Sequence, residues 1–410
     1  MSIYDNAGVA LIPSGTKASK LYSVLPANGD GDFNATRGST ATRVNKDGFI
    51  ESVDTNVPRL DYPLIDGVVQ DCPALLLEPS RTNSIPYSNL FTYSGWSKAG
   101  SGTGSAPTVT GNYAISPDGS QNASRLQLDK GSGTTTSDYS FMYETVSSVG
   151  TGSISIWMKS NDSNTYQVAL RKSNFVICDV TPEWQRFELN NQASTNEIQI
   201  MLRGTYGTSD NADILIYGAQ LEAGSYTTSY IPTSGSTVTR SADVCNGSGT
   251  SAEFNDSEGV LFAEIAALAD DGTTRRMSLS NGGYDNRVVL SYHTTSNSIR
   301  VLLVSGNSTQ VDKTFVVSDT TLFSKCLFKY KENDFALWVN GFEVETDSSG
   351  STPTGLDTLR FEDGGGASDF YGKSKQLMTF KTALTDSELE TLTSWDSFNA
   401  MAKGQLYTIE

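Results

Sequence analysis

Histidine is nearly absent from this chain: His293 is the only one in 410 residues. A zinc site built from several histidines is therefore excluded. A histidine-based triad is left with one candidate. His293 follows Val288-Val289-Leu290-Ser291-Tyr292, which reads as a strand, and no Gly-x-Ser-x-Gly elbow accompanies it. It reads as a surface histidine. Cysteine is scarce too. Cys72, Cys178, Cys245 and Cys326 never form a C-x-x-C pair, so neither a zinc ribbon nor a thioredoxin-type motif is available. Four thiols in a chain this long make no disulfide scaffold. Free, mostly buried thiols in a reducing compartment are expected.

Positive charge is also short. Lys plus Arg is 29 against 46 Asp plus Glu, a net charge of −17. That sign repels phosphate backbones and anionic lipid surfaces, so no nucleic-acid partner is expected. Long apolar runs are missing as well. Val260 to Ala269 is the longest and carries Glu264, so no membrane insertion is expected. Met1 to Asn6 shows neither a basic nor an apolar signal region, so no export signal is expected.

What remains is rich in turn formers, with 37 glycines, only 18% charged residues and 37% hydrophobic ones. That composition fits an all-β protein of two to three domains. Residues 1–85 are turn-rich, with short apolar islands punctuated by Pro58, Pro63, Pro73 and Pro79. Proline lacks an amide donor and fixes φ, so an extended anchoring segment without a core of its own is expected. Residues 86–240 alternate short strands with polar turns. Ser153–Lys159, Glu197–Leu202 and Asp213–Tyr217 are the clearest, and the spacing predicts a jelly-roll β-sandwich. Residues 250–410 predict a second sandwich. There Asn340-Gly341 predicts a type I′ hairpin that pairs Val339 with Phe342 and Leu337 with Val344 on one buried face. One short C-terminal helix is predicted from Asp386 to Trp395, capped by Thr385 and Glu388.

No short motif singles out a catalytic carboxylate pair, and Glu183 beside Trp184 reads as a turn leading into a strand. Sugar rings stack on aromatic planes, so tryptophans and tyrosines in loop contexts are the ones free to meet a sugar. Trp96 and Tyr113, in loop-like surroundings, are candidate carbohydrate-binding residues, and Trp338 faces either solvent or a second layer. Acidic loop clusters could hold a structural Ca2+; the candidates are Asp210, Asn211 and Asp213, then Asp270 and Asp271, then Glu362 and Asp363. No other cofactor is expected.

Three stretches occur in order: Ala41–Glu51, Val57-Pro58-Arg59-Leu60-Asp61-Tyr62, and Cys72-Pro73-Ala74-Leu75-Leu76-Leu77-Glu78-Pro79-Ser80-Arg81-Thr82-Asn83. They resemble the N-terminal module of tailed-bacteriophage fibre and spike proteins. Gly218-Ala219-Gln220-Leu221-Glu222-Ala223-Gly224-Ser225-Tyr226-Thr227-Thr228-Ser229-Tyr230-Ile231-Pro232-Thr233, followed by Val238-Thr239-Arg240-Ser241-Ala242-Asp243, resembles the closing strand of a carbohydrate-binding-module-like jelly roll in such virion proteins. Val339-Asn340-Gly341 and the Ala383–Leu389 run are similar to the end of laminin-G-like or concanavalin-like sandwiches. The resemblance implies a phage virion appendage on head or tail that displays lectin-like domains. It implies a structural and adhesive role rather than an enzyme, with a host-surface glycan as ligand. It further implies docking to other virion proteins through residues 1–85, with Ala74–Leu77 covering a neighbour's sheet edge, and a homotrimer located in the virion. The alternative is a tail-spike depolymerase cutting surface polysaccharide.

Overall fold

The computed structural model describes residues 3–62, 64–65, 68–396 and 400–401. Pro63 and residues 402–410 of the C-terminal unit lie outside the described residues. Among the described residues the protein is all-β, with one short α-helix, Asp386–Thr393, near the C-terminus and a 3-10 turn at Ile3–Asn6.

One sandwich is built from the middle of the chain. Its first sheet runs Ser97–Ser101, Tyr139–Thr145, Glu197–Arg203, Tyr166–Arg171, Phe175–Val180. Its second runs Ser105–Ala114, Ala123–Asp129, Asn211–Ala223, Gly152–Ser160, Gln185–Gln192. Most connections cross from one sheet to the other, which is jelly-roll wiring. Alternation explains the pairing of faces. Ile154, Ile156 and Met158 meet Ile198, Ile200 and Leu202 between the sheets, while the residues between them point outward.

The second sandwich draws on both ends of the chain. One sheet contains Glu258–Ala267, Ser324–Lys331, Phe335–Val339, Phe342–Asp347 and Gly372–Phe380. Ala7–Leu11 and Ala74–Leu77 both pair with Gly372–Phe380, and Arg59–Asp61 pairs with Ala74–Leu77. The facing sheet receives Phe33–Thr36 beside Val244–Ser248. Val9, Leu11, Phe33, Leu60, Leu75 and Leu77 are therefore part of the same core as Leu261, Leu290 and Phe328. This corrects the reading of residues 1–85 as a segment for a partner to cover. The apolar islands were too few for a core of their own, and their partner strands lie far along this same chain. Ala74–Leu77 is an interior strand covered on both edges, so it caps no neighbour.

The middle sandwich is thus an insertion in the outer one. Its two necks lie side by side, because Arg81–Asn83 pairs with Val238–Arg240.

The hairpin forms with Asn340 at φ 50° and Gly341 at φ 91°, as a type I′ turn demands. Val339 pairs with Phe342, but a bulge places Glu345 rather than Val344 opposite Leu337. Phe342 lies on the outermost strand and is 70% exposed, so the four apolar residues do not share one buried face. The helix stops at Thr393, two residues before Trp395. The Glu388 carboxylate accepts both the amide and the hydroxyl of Thr385 at its start, at 2.8 and 2.7 Å. Leu389 and Leu392 bury against Trp338.

Candidate functional site

Trp96 offers no surface to a sugar. It is 2% exposed, packs 4.9 Å from Phe91, and donates its indole N–H to the Tyr87 carbonyl at 3.1 Å. The loop around it folds back into the middle sandwich's core, which corrects its assignment as a stacking residue. Trp338 is buried under the helix and faces the second layer, so it too drops out. Tyr113 is 41% exposed at the end of the strand Ser105–Ala114, with the Arg125 guanidinium 5.2 Å from its ring centroid.

The acidic candidates for calcium are already engaged. Asp213 takes the fork of Arg125, with Nε at 2.7 Å and Nη2 at 2.5 Å, and Asp210 pairs with Lys130. Asn211 sits in strand register opposite Asp129. Asp270 accepts from Ser296 and Asn297, and Asp271 pairs with Arg275 at 2.8 Å. Glu362 pairs with Arg360 and Asp363 with Arg276. Among the described residues no group of three or more His, Cys, Asp or Glu is placed to hold a metal. The proposed residues do not come together as a calcium site.

The ordered motifs converge at one place, the seam between the sandwiches. Arg59, fully buried, donates to Glu78 at 2.7 Å and to Asp243. Arg240 reaches Glu78 at 2.7 Å, and Arg37 reaches Asp243 at 3.0 Å. Three cations face two anions, and backbone carbonyls take the surplus donors: Pro79 for Arg240, Thr42 for Arg59, Val57 and Asp54 for Arg37. Burial alone would push the Glu78 carboxyl up. Arg240, Arg59 and the two Ser229 donors outweigh it and hold Glu78 well below the usual carboxylate range. The neighbouring Glu222, equally buried but met mainly by Thr228 and Gln220, is pushed up by desolvation. Arg59 and Glu78 come from the N-terminal stretches, Ser229, Arg240 and Asp243 from the later one. The motifs are the clamp that fastens one sandwich to the other.

A cleft of about 430 Å3 opens beside this clamp, lined by Arg43, Arg186, Trp157 and Lys373 among others. Its cations are paired: Arg43 with Glu51 at 2.7 Å, Lys373 with Asp61 at 3.3 Å, Arg186 with Glu188 at 3.6 Å. Trp157 packs with Ile50, Tyr217 and Tyr230 on the outer side of the second sheet. That sheet's outer face is therefore used for docking.

The first sheet's outer face is different. Met142 points into the core, so its neighbours Phe141 and Tyr143, together with Tyr139, point out. Their ring centroids are 5.2 and 5.3 Å apart, a ladder along one strand, each ring partly exposed. Register sets the next rows: Gln199, Met201 and Arg203 stand opposite Tyr143, Phe141 and Tyr139. Arg171 and Ala169 follow across Gln199 and Met201, and Phe175 and Ile177 beyond those. Phe175, 43% exposed, stacks on Tyr206 at 3.9 Å. Five aromatic rings thus share one sheet face on the side away from the clamp. The tryptophan-centred sequence reading missed them. The signal was there as aromatics at alternate positions, Tyr139-Ser140-Phe141-Met142-Tyr143.

No protein-family model and no curated protein matches this sequence. Among solved structures the chain is similar to the CBM40 of Ruminococcus gnavus IT-sialidase bound to alpha2,3 sialyllactose, at 16% identity, over 36% of this chain and 94% of that one, with a TM-score of 0.31. It is similar to domains LG4-5 of the mouse laminin alpha1 chain at 9% identity, over 56% and 82% of the two chains, with a TM-score of 0.24. It is similar to sheep galectin-11 in complex with glycerol at 8% identity, over 30% and 90%, with a TM-score of 0.22. Nothing about fold, role or ligand rests on these likenesses.

Proposed function

We propose that this protein is a non-catalytic adhesive subunit of a tailed-phage virion, and that it binds host-surface glycan through the aromatic face of its inserted sandwich. The observation that carries the glycan reading is the Tyr139, Phe141, Tyr143 ladder, left partly exposed while the opposite sheet is used for docking. Contiguous exposed apolar surface is the kind that interaction sites use. The flat, weakly polar rings suit the C–H faces of pyranoses. The virion role rests on the ordered motifs. Because the strands of residues 1–85 are used within this chain, docking to other virion proteins and threefold assembly are assigned to exposed surface instead.

Binding to a glycan array by the full chain and by the triple variant Tyr139→Ala, Phe141→Ala, Tyr143→Ala tests the reading. Each aromatic contact contributes about 0.5–1.5 kcal/mol, so the variant should bind at least tenfold more weakly, with affinity taken relative to the folded fraction because the three rings are also partly packed on their own sheet. Equal binding by both proteins removes the site. Release of reducing ends from a bound polysaccharide would instead favour the depolymerase. Antibody labelling of purified virions in the electron microscope tests the location, and unlabelled particles would remove it.

A further inference from the structure

The aromatic face carries two arginines, Arg171 and Arg203, and neither makes an ion pair with a described residue. That is unusual in this chain. Acids outnumber bases 46 to 29, and most other arginines are matched to a carboxylate, as Arg125 is to Asp213 and Arg300 to Asp312. Arg171 donates Nη1 to the Gln199 side-chain oxygen at 2.6 Å. Arg203 donates Nε to the Thr136 carbonyl at 2.7 Å and lies over the Tyr206 ring at 5.6 Å. Both guanidinium groups are held by neutral partners, so their orientation is set and their charge is uncompensated. Two carboxylates share the face, and neither pairs with Arg171 or Arg203; Asp179 keeps its charge but stands one strand beyond Gln167. Glu197 lies 3.8 Å from Lys172, and Asp179 accepts the Gln167 amide at 3.0 Å.

The register places the arginines as a pair around the rings. Arg203 stands directly across from Tyr139, at one end of the ladder. Arg171 lies one strand further on, across Gln199 from Tyr143, at the other end. Between them lies a floor of Met201 and Ala169, both buried. A chain of sugars lying over the ladder would present substituents to a cation at each end. Resting on the glycan-binding reading above, we propose that this face selects a carboxylate-bearing polysaccharide, with the rings stacking the sugars and Arg171 and Arg203 each meeting an acidic group.

The net charge of −17 argues the other way, and distance decides between the two effects. Charges farther away than the Debye length, about 8 Å at physiological salt, are largely screened. A guanidinium–carboxylate contact at hydrogen-bond distance is screened far less and has the bidentate geometry that arginine favours.

The test is affinity electrophoresis of the full chain at physiological salt through gels holding polygalacturonate or hyaluronate, each beside its carboxyl-methylated form. The methylated polymer keeps the sugar chain and removes the charge. Retardation by at least one acidic polymer, with binding at least tenfold weaker to its methylated partner, is the expected result. The double variant Arg171→Gln, Arg203→Gln should lose that discrimination while keeping the weak binding to the methylated form. Equal retardation by acidic and methylated polymers overturns the acidic preference and leaves glycan binding standing. A double variant that still discriminates assigns the selection to other residues and overturns the proposal. Retardation by no polymer overturns it too; if the glycan array is also blank, the glycan-binding reading falls with it.

Discussion

Replacing Glu78 by glutamine should loosen the seam more than any surface change. Its carboxylate lies 2.7 Å from both Arg59 and Arg240, all three nearly inaccessible to water. Without it, Asp243 is left facing three buried guanidinium groups, and Arg240 keeps only hydroxyls and the Pro79 carbonyl. Removing one partner of a buried ion pair costs about 3–5 kcal/mol, because the remaining charge stays desolvated. For a melting unit of about 150–250 residues each kcal/mol shifts the midpoint by about 2–4 °C, so a fall of roughly 6–20 °C is expected. Differential scanning calorimetry of the full chain measures it. The control is Glu188→Gln, which opens the partly exposed 3.6 Å pair with Arg186 and should cost no more than about 1 kcal/mol. Acid should reproduce the effect. Glu78 has its folded pKa held below its ordinary 4.5. A carboxylate shifted this way contributes stability above the unfolded value and loses it as pH falls toward the folded one. The wild type should therefore weaken from about pH 4.5 downward, and Glu78→Gln should lack that part of the acid sensitivity. If Glu78→Gln and Glu188→Gln melt alike, the clamp is not what fastens the sandwiches.

Other outcomes follow from the same packing. Glu222→Gln should cost far less than Glu78→Gln, under about 1.5 kcal/mol, because its partners are mainly neutral donors that an amide oxygen also satisfies; calorimetry showing equal losses would refute this. Trp96→Ala should lower stability by about 3–5 kcal/mol, as a core truncation does, without altering glycan affinity relative to the folded fraction. Native thiol titration should label one cysteine per chain, Cys72, since Cys178, Cys245 and Cys326 are buried and burial pushes the Cys178 thiol up to about 12. Labelling of two or more in the folded protein would contradict the packing. A fragment spanning residues 81–240 should melt cooperatively alone, whereas residues 1–85 should not, because the strands that carry their core residues, Ala7–Leu11, Phe33–Thr36 and Ala74–Leu77, are completed by strands beyond residue 240.

Local pattern carried the clearest elements. Alternation marked the strands around Ile154, Ile198 and Ile214, the Asn340-Gly341 pair marked its hairpin, and Thr385 with Glu388 marked the helix start. What stayed hidden was long-range. Nothing near Leu75 in sequence announces that it pairs with Ser374, since strand pairing depends on backbone bonds that any residue can make. The bulge at Leu337/Trp338 escaped for the same reason, and with it the exposure of Phe342. The site was half legible. The motif stretches were visible as unusual, but their purpose as a clamp needed Arg59, Glu78, Arg240 and Asp243 to be seen together. Trp96 misled because a short loop can fold its aromatic side chain back into the core. The tyrosines escaped because only knowledge of which sheet docks tells which outer face stays open.

The side-by-side necks at Arg81–Asn83 and Val238–Arg240 have a consequence for how such a molecule can change over generations. To the host sandwich the whole inserted head is one long loop leaving and returning through a single doorway. A recombination that exchanges the sequence between those two points need not re-thread any host strand; it has only to keep the clamp residues that bolt the new head in place. The inserted sandwich can then be traded as a cassette while the frame that carries it is left untouched.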